Sequence, residues 1–153
     1  MSIQVSYTKS TIKPSGNVAF FVDEKFNSKS FKKFTTSAEL SYINDLLKSC
    51  DLKKRILNFE LNSKRKIILI SIKKNIKNID IENLGAEFYS YINSEKKNQY
   101  FINSDTIISK QDNFIGHFLH GLKLKSYEFK KYKSKKNNKI ISIEVLGVSY
   151  SFN

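Results

Sequence analysis

The stretch NVAFFV, residues 17–22, holds five apolar side chains in a row. A strand with one wet face alternates apolar and polar residues. A short unbroken run suits a strand buried on both faces, the usual state of strands in a sheet covered by helices on each side. Pro14 and Gly16 stand just ahead of the run and read as punctuation before it. A second such run, KIILISI at 66–72, follows the turn signal Asn62-Ser63-Lys64 and is expected to be the clearest central strand.

Weaker patterns extend outward from these two runs. Residues 3–7, IQVSY, and 55–61, RILNFEL, alternate and read as half-buried strands. QYFIN at 99–103 and IISIEVL at 140–146 read as further strands. A helix is expected over 36–49, opened by the capping-box pair Thr36 and Glu39, with Leu40, Ile43 and Leu47 on one face. A second, over about 80–93, carries Ile81, Leu84, Phe88 and Ile92, with Asp80 as its cap. A third, over about 111–125, carries Phe114, Ile115, Phe118, Leu119 and Leu122. The polar run KKYKSKKNNK at 130–139 is expected as an exposed loop. The order β-β-α-β-β-α-β-α-β predicts a single α/β domain, a mixed sheet flanked by helices.

The chain has 153 residues, the size of one ordinary domain. Apolar residues make up 40% and aromatics 13%, which is enough for a real core and excludes a disordered chain. The single cysteine, Cys50, excludes an internal disulfide and a multi-cysteine metal site. The start MSIQVSYTKS lacks the basic flank and apolar stretch of a signal peptide, and no apolar run approaches the roughly 18–20 residues that span a bilayer. The expectation is a soluble, cytoplasmic protein.

Few residues pattern as chemistry. His117 and His120 share a side of the third helix at i, i+3, but a catalytic zinc needs about three ligands. Cys50 follows a helix end, the wrong place for an activated thiolate. No serine stands in a Gly-x-Ser-x-Gly elbow, and the scattered glycines form no phosphate loop. Asp80 and Glu82 complement the start of a helix, which accounts for them without catalysis. Neither catalytic nor metal-binding residues are therefore assigned.

One stretch remains: GLKLKSYEFKKYKSKK, 121–136. Here Lys125, Lys130, Lys131, Lys133, Lys135 and Lys136 lie among Tyr127, Phe129 and Tyr132. Lysines neutralise phosphates and aromatics stack on bases, so a nucleic-acid grip is one reading. The other is structural, with Leu122, Tyr127, Phe129 and Tyr132 packing a helix exit rimmed by solvated lysine. The net charge of +13 favours polyanions, yet all but two of the 27 basic residues are lysine. Lys, Asn and Ile share A/T-rich codons, so coding bias is an alternative source of the lysine excess.

The same stretch resembles the end of the N-terminal domain of cytosol leucyl aminopeptidases, the M17 peptidases. There a helix ends in Gly-Leu-x-Leu-Arg-Ser-Tyr-x-Phe-Asp-x-Tyr-Lys-Thr-Lys-Lys. Gly121, Leu122, Leu124, Ser126, Tyr127, Phe129, Tyr132, Lys133, Lys135 and Lys136 match it. Lys125 replaces arginine, Ser134 replaces threonine, and Lys130 stands where an acid is common. SGNVAFFVDE (15–24) is similar to an early strand of that domain. KIILISIKK (66–74) sits where the family has a strand ending in Gly-x-Gly-Lys, with Ser71 and Ile72 near those glycines.

The resemblance implies a macro-like accessory domain over 1–146, followed at 147–153 by the start of a linker to a C-terminal catalytic domain. It implies that two divalent metals, Zn or Mn, and the Asn-Thr-Asp-Ala-Glu-Gly-Arg-Leu signature belong to that other domain. The partners implied are the catalytic domain of the same polypeptide and the other subunits of a homohexamer. Some family members also bind DNA. On this reading the chain is inactive alone and its helix exit is packed by Tyr127, Phe129 and Tyr132. The alternative is a stand-alone basic nucleic-acid-binding module.

Overall fold

The structure is a computed structural model that describes residues 2–8, 16–51, 53–63, 65–94, 99–107, 113–132 and 140–147. It contains six strands, β1 (Ser2–Thr8), β2 (Asn17–Val22), β3 (Ile56–Asn62), β4 (Arg65–Ser71), β5 (Gln99–Asn103) and β6 (Ile140–Leu146). Three helices accompany them: α1 (Ser37–Leu47), α2 (Asn78–Asn93) and α3 (Phe114–Tyr132). The strands form one sheet in the order β1-β6-β5-β2-β4-β3. All neighbours are parallel except β3, which pairs antiparallel with β4 through the hairpin. The mixed sheet and the element order match the sequence reading. β4 is interior, but β5 and β2 occupy the middle.

Burial explains the two kinds of strand pattern. Every residue of β2 and β4 is buried. On one face Ala19, Phe21, Ile68 and Ile70 meet α2 and α3. On the other, Val18, Phe20, Ile67 and Leu69 meet Ile43 of α1 and Phe26, Phe31 and Phe34 of the segment before it. In β6 the α2/α3 face is uniformly apolar, with Ile141, Ile143 and Val145 buried, while the opposite face is mixed: Ser142 and Glu144 are half-buried, Ile140 is exposed and Leu146 is buried. Each fully buried large apolar side chain contributes about 1.5–3 kcal/mol.

Helix starts follow local chemistry. The Thr36 hydroxyl accepts from the Glu39 N–H and the Glu39 carboxylate accepts from the Thr36 N–H, each at 3.1 Å. That carboxylate also receives Arg65 Nε at 2.6 Å, which fastens α1 to the start of β4. The other arginine, Arg55, pairs with Glu87 of α2. Asp80 is not the cap: it lies three positions past the N-cap Lys77, in the first turn of α2, and accepts from the Lys77 N–H. After β4 the chain turns with Asn75 at φ 61°, a left-handed conformation that asparagine tolerates better than most residues.

α3 departs from expectation at its far end. It runs to Tyr132 rather than stopping near 125, because SYEFKKY contains neither glycine nor proline to stop it. Its N-terminal half packs against α2 with the two backbones in contact. A Cβ on Gly85 would fall 2.0 Å from the Phe118 carbonyl oxygen, and one on Gly121 would fall 1.9 Å from that of Glu82. Gly→Ala normally favours a helix by up to about 1 kcal/mol. Here both atoms in the way are backbone, so overpacking outweighs propensity. Gly85→Ala and Gly121→Ala are each expected to lower stability by about 1–3 kcal/mol in urea denaturation. Unchanged or raised stability would refute the backbone contact.

Candidate functional site

The five parallel strands end along one edge, at Thr8, Val22, Ser71, Asn103 and Leu146. Beyond β2 the chain passes to the α1 side of the sheet, and beyond β5 it passes to the α2/α3 side. Connections leaving adjacent strands in opposite directions open a crevice, the usual ligand position in such sheets. The β2–β5 pairing ends at Phe20 and Asn103, whereas β2 continues with β4 to Val22.

A short turn, Ser104–Thr106, fills this split. The Thr106 hydroxyl accepts the Phe21 N–H at 2.8 Å and donates to the Asn103 carbonyl at 2.7 Å. Ser104 donates to the Leu146 carbonyl at 2.7 Å, and Asn103 Oδ1 accepts the Asp105 N–H at 3.0 Å. Gly147 follows with φ 112°, where a Cβ would strike Asp105 and Ser104 at 2.7 Å. Its N–H donates to the Thr8 carbonyl. At the end of β2, Asp23 accepts from the N–H groups of Lys25 and Asn27. Sequence reading missed this cluster, since its residues come from four strand ends. The only local signal was a Ser-Asp-Thr after a strand.

The cluster's buried hydroxyls hold strand ends together, and Asp23 is engaged with the N–H groups that follow β2. Among the described residues no group of three or more His, Cys, Asp or Glu is placed to hold a metal ion. His120 faces Glu82 at 3.8 Å across the α2–α3 seam, and His117 is half-buried one turn earlier. Cys50 is half-buried beyond α1.

The basic–aromatic stretch lies on α3. Leu122 is fully buried against α2 and the sheet. Tyr127 is 60% exposed and Leu124 49%. The helix continues through this position and turns that side away from the core. Lys125 pairs with Glu128 at 3.3 Å. Phe129, Lys130, Lys131 and Tyr132 belong to the end of α3, and their side chains lie outside the described residues. Lys133, Lys135, Lys136 and, of the linker expected at 147–153, residues 148–153 also lie outside them. No helix among the described residues is long and apolar enough to cross a membrane.

No family model and no curated protein matches the chain. Solved structures do. A mutant of tomato leucine aminopeptidase aligns with TM-score 0.68 and 13% identity, covering 98% of this chain and 33% of that one. The macrodomain of Thermus aquaticus DarG aligns with TM-score 0.61 and 9% identity, covering 96% of this chain and all of that one. The fold is macrodomain-like. The chain spans about a third of the aminopeptidase's length.

Removing the Thr106 hydroxyl tests the cluster's role. Thr106→Val leaves the buried Phe21 N–H without its acceptor and is expected to cost about 1–3 kcal/mol, while Thr106→Ser keeps both hydrogen bonds. Equal urea midpoints for the two variants would contradict this.

Proposed function

We propose that this chain is the non-catalytic, macro-like N-terminal domain of a leucyl aminopeptidase-type protein. The observation that carries the reading is the alignment of nearly the whole chain with one third of a leucine aminopeptidase. The run from Gly121 to Lys136, which resembles the end of that family's N-terminal domain, supports it from sequence. Its role is then architectural, as a folded neighbour to a catalytic domain. Two divalent metals, Zn or Mn, would sit in that domain and activate the water that attacks the scissile carbonyl. The hexameric assembly of the family belongs to the same proposal.

The second reading is a nucleotide-binding macrodomain, favoured by full coverage of the DarG macrodomain. Against it, Thr106 bridges the split between β2 and β5, and Asp23 and Asp105 stand at the same strand ends.

Three measurements separate these readings. The purified chain with Zn²⁺ or Mn²⁺ is expected to leave a leucyl amide substrate intact; turnover would overturn the non-catalytic assignment. Reading the coding frame past Asn153 is expected to reveal the metal-ligand signature, and a stop codon there would remove the aminopeptidase reading. ADP-ribose is expected to leave the thermal midpoint unchanged, and a saturable rise would favour the nucleotide-binding reading instead.

A further inference from the structure

The sheet has two edges, and they differ in how they are protected. β3 forms one of them. It carries the exposed carboxylate of Glu60, and its register against β4 shifts between Glu60 and Asn62. A charge and a bulge both keep an edge strand from pairing with another chain. β1 forms the other edge and has neither. Its seven residues, SIQVSYT, pair in unbroken parallel register with β6. None of the seven is charged, in a chain with 27 basic and 14 acidic residues. Among the described residues no strand lies on its outer side.

One hydrogen bond fixes which backbone groups face outward. The Thr8 carbonyl accepts from the Gly147 N–H at 3.0 Å, so Thr8 turns its backbone groups toward the β6 side. Successive residues of a strand turn theirs to opposite sides. Gln4 and Ser6 therefore bond inward to β6, while Ile3 and Val5 present N–H and C=O to the open edge. The side chains of Ile3 and Val5 are half-buried against the α2/α3 layer. Those of Gln4 and Ser6, on the opposite face, are exposed.

β1 is also complementary to itself. An antiparallel copy related by a two-fold axis at Val5 sets Val5 opposite Val5, Ile3 opposite Tyr7 and Gln4 opposite Ser6. Apolar side chains then meet on the α2/α3 face and polar ones on the other. The two Val5 residues form the antiparallel pair that exchanges both N–H···O bonds. Tyr7, 45% exposed, comes beside Ile3 of the second copy. Moving the axis to Gln4 or Ser6 pairs fewer residues of the strand. Charge narrows the occupant further. Two chains of net charge +13 repel wherever charged surface meets. β1 offers an approach free of that cost, and no ion pair for an acidic or basic partner strand.

We propose that a second copy of this chain pairs its β1 antiparallel with this one, making a two-fold dimer with one continuous sheet. A single strand pair buries less than a standard interface, so the dimer is weak and forms at micromolar concentration or above. This inference does not depend on the aminopeptidase reading.

The test is sedimentation equilibrium of the whole chain over about 5–500 μM, a range suited to a weak dimer. A shift from monomer to dimer is expected, stronger as salt rises, because salt screens the repulsion between copies. Gln4→Lys with Ser6→Lys sets like charges across both Gln4–Ser6 pairs and should weaken the dimer roughly 2- to 30-fold. Gln4→Lys with Ser6→Glu sets opposite charges across the same pairs and should hold the dimer at or above its original strength. The control, Asn44→Lys with Asn83→Lys, adds the same charge on α1 and α2 and should leave the dimer nearly intact. All four positions are exposed, so each variant should keep its thermal midpoint in dilute solution. Four results would overturn the proposal: a monomer at every concentration, a dimer that weakens as salt rises, an equal loss in the control, or an equal loss in the variant with opposite charges.

Discussion

Burial of β2 and β4 on both faces is the constraint that organises this domain. Parallel strands reach that state only when helices cover each side of the sheet. The α2/α3 layer covers one side with Phe88, Phe118 and Leu122 among its buried residues. The α1 side depends on Phe26, Phe31, Phe34 and Ile43. Phe20 stacks on Phe31, and Phe21 meets Phe114 and Phe118 edge-on. Two adjacent phenylalanines of one strand therefore anchor opposite layers.

The layers are held by different means. The α2–α3 seam is a backbone contact made possible by Gly85 and Gly121. The α1 layer is fastened by Glu39, which serves the helix cap and Arg65 together. In a chain so rich in lysine, arginine stands only where a planar fork meets a carboxylate between separate elements. A lysine in either place would keep the charge and lose the fork geometry.

Most of this architecture was legible because short-range pattern and long-range burial agree. NVAFFV is continuous and its strand is wholly buried. IISIEVL alternates through its middle, and there Ile141, Ile143 and Val145 are buried while Ser142 and Glu144 are only half-buried. The capping box of Thr36 and Glu39 was readable for the same reason, being local. What escaped reading depends on distant parts of the chain. The end of α3 was misjudged because apolar periodicity stops at Leu122 while the helix does not. The hydroxyl cluster at the strand ends was hidden, since Thr106 and Phe21 are 85 residues apart. The aminopeptidase likeness was visible in the run after Gly121, and the fold comparison supports that likeness at the level of architecture.

The engagement of both guanidiniums also has a chemical consequence. The positive charge left for the outer surface is carried by primary amines, whose ionisation can be abolished by acylation. Guanidinium charge would survive such treatment. An amine-selective acylating reagent, or an enzymatic acetyltransferase, could therefore erase the surface charge in steps. The Glu39–Arg65 and Glu87–Arg55 links between sheet and helices would stay chemically untouched. Surface potential and internal fastening are thus separable by reagent, a partition that a more arginine-rich surface would not allow.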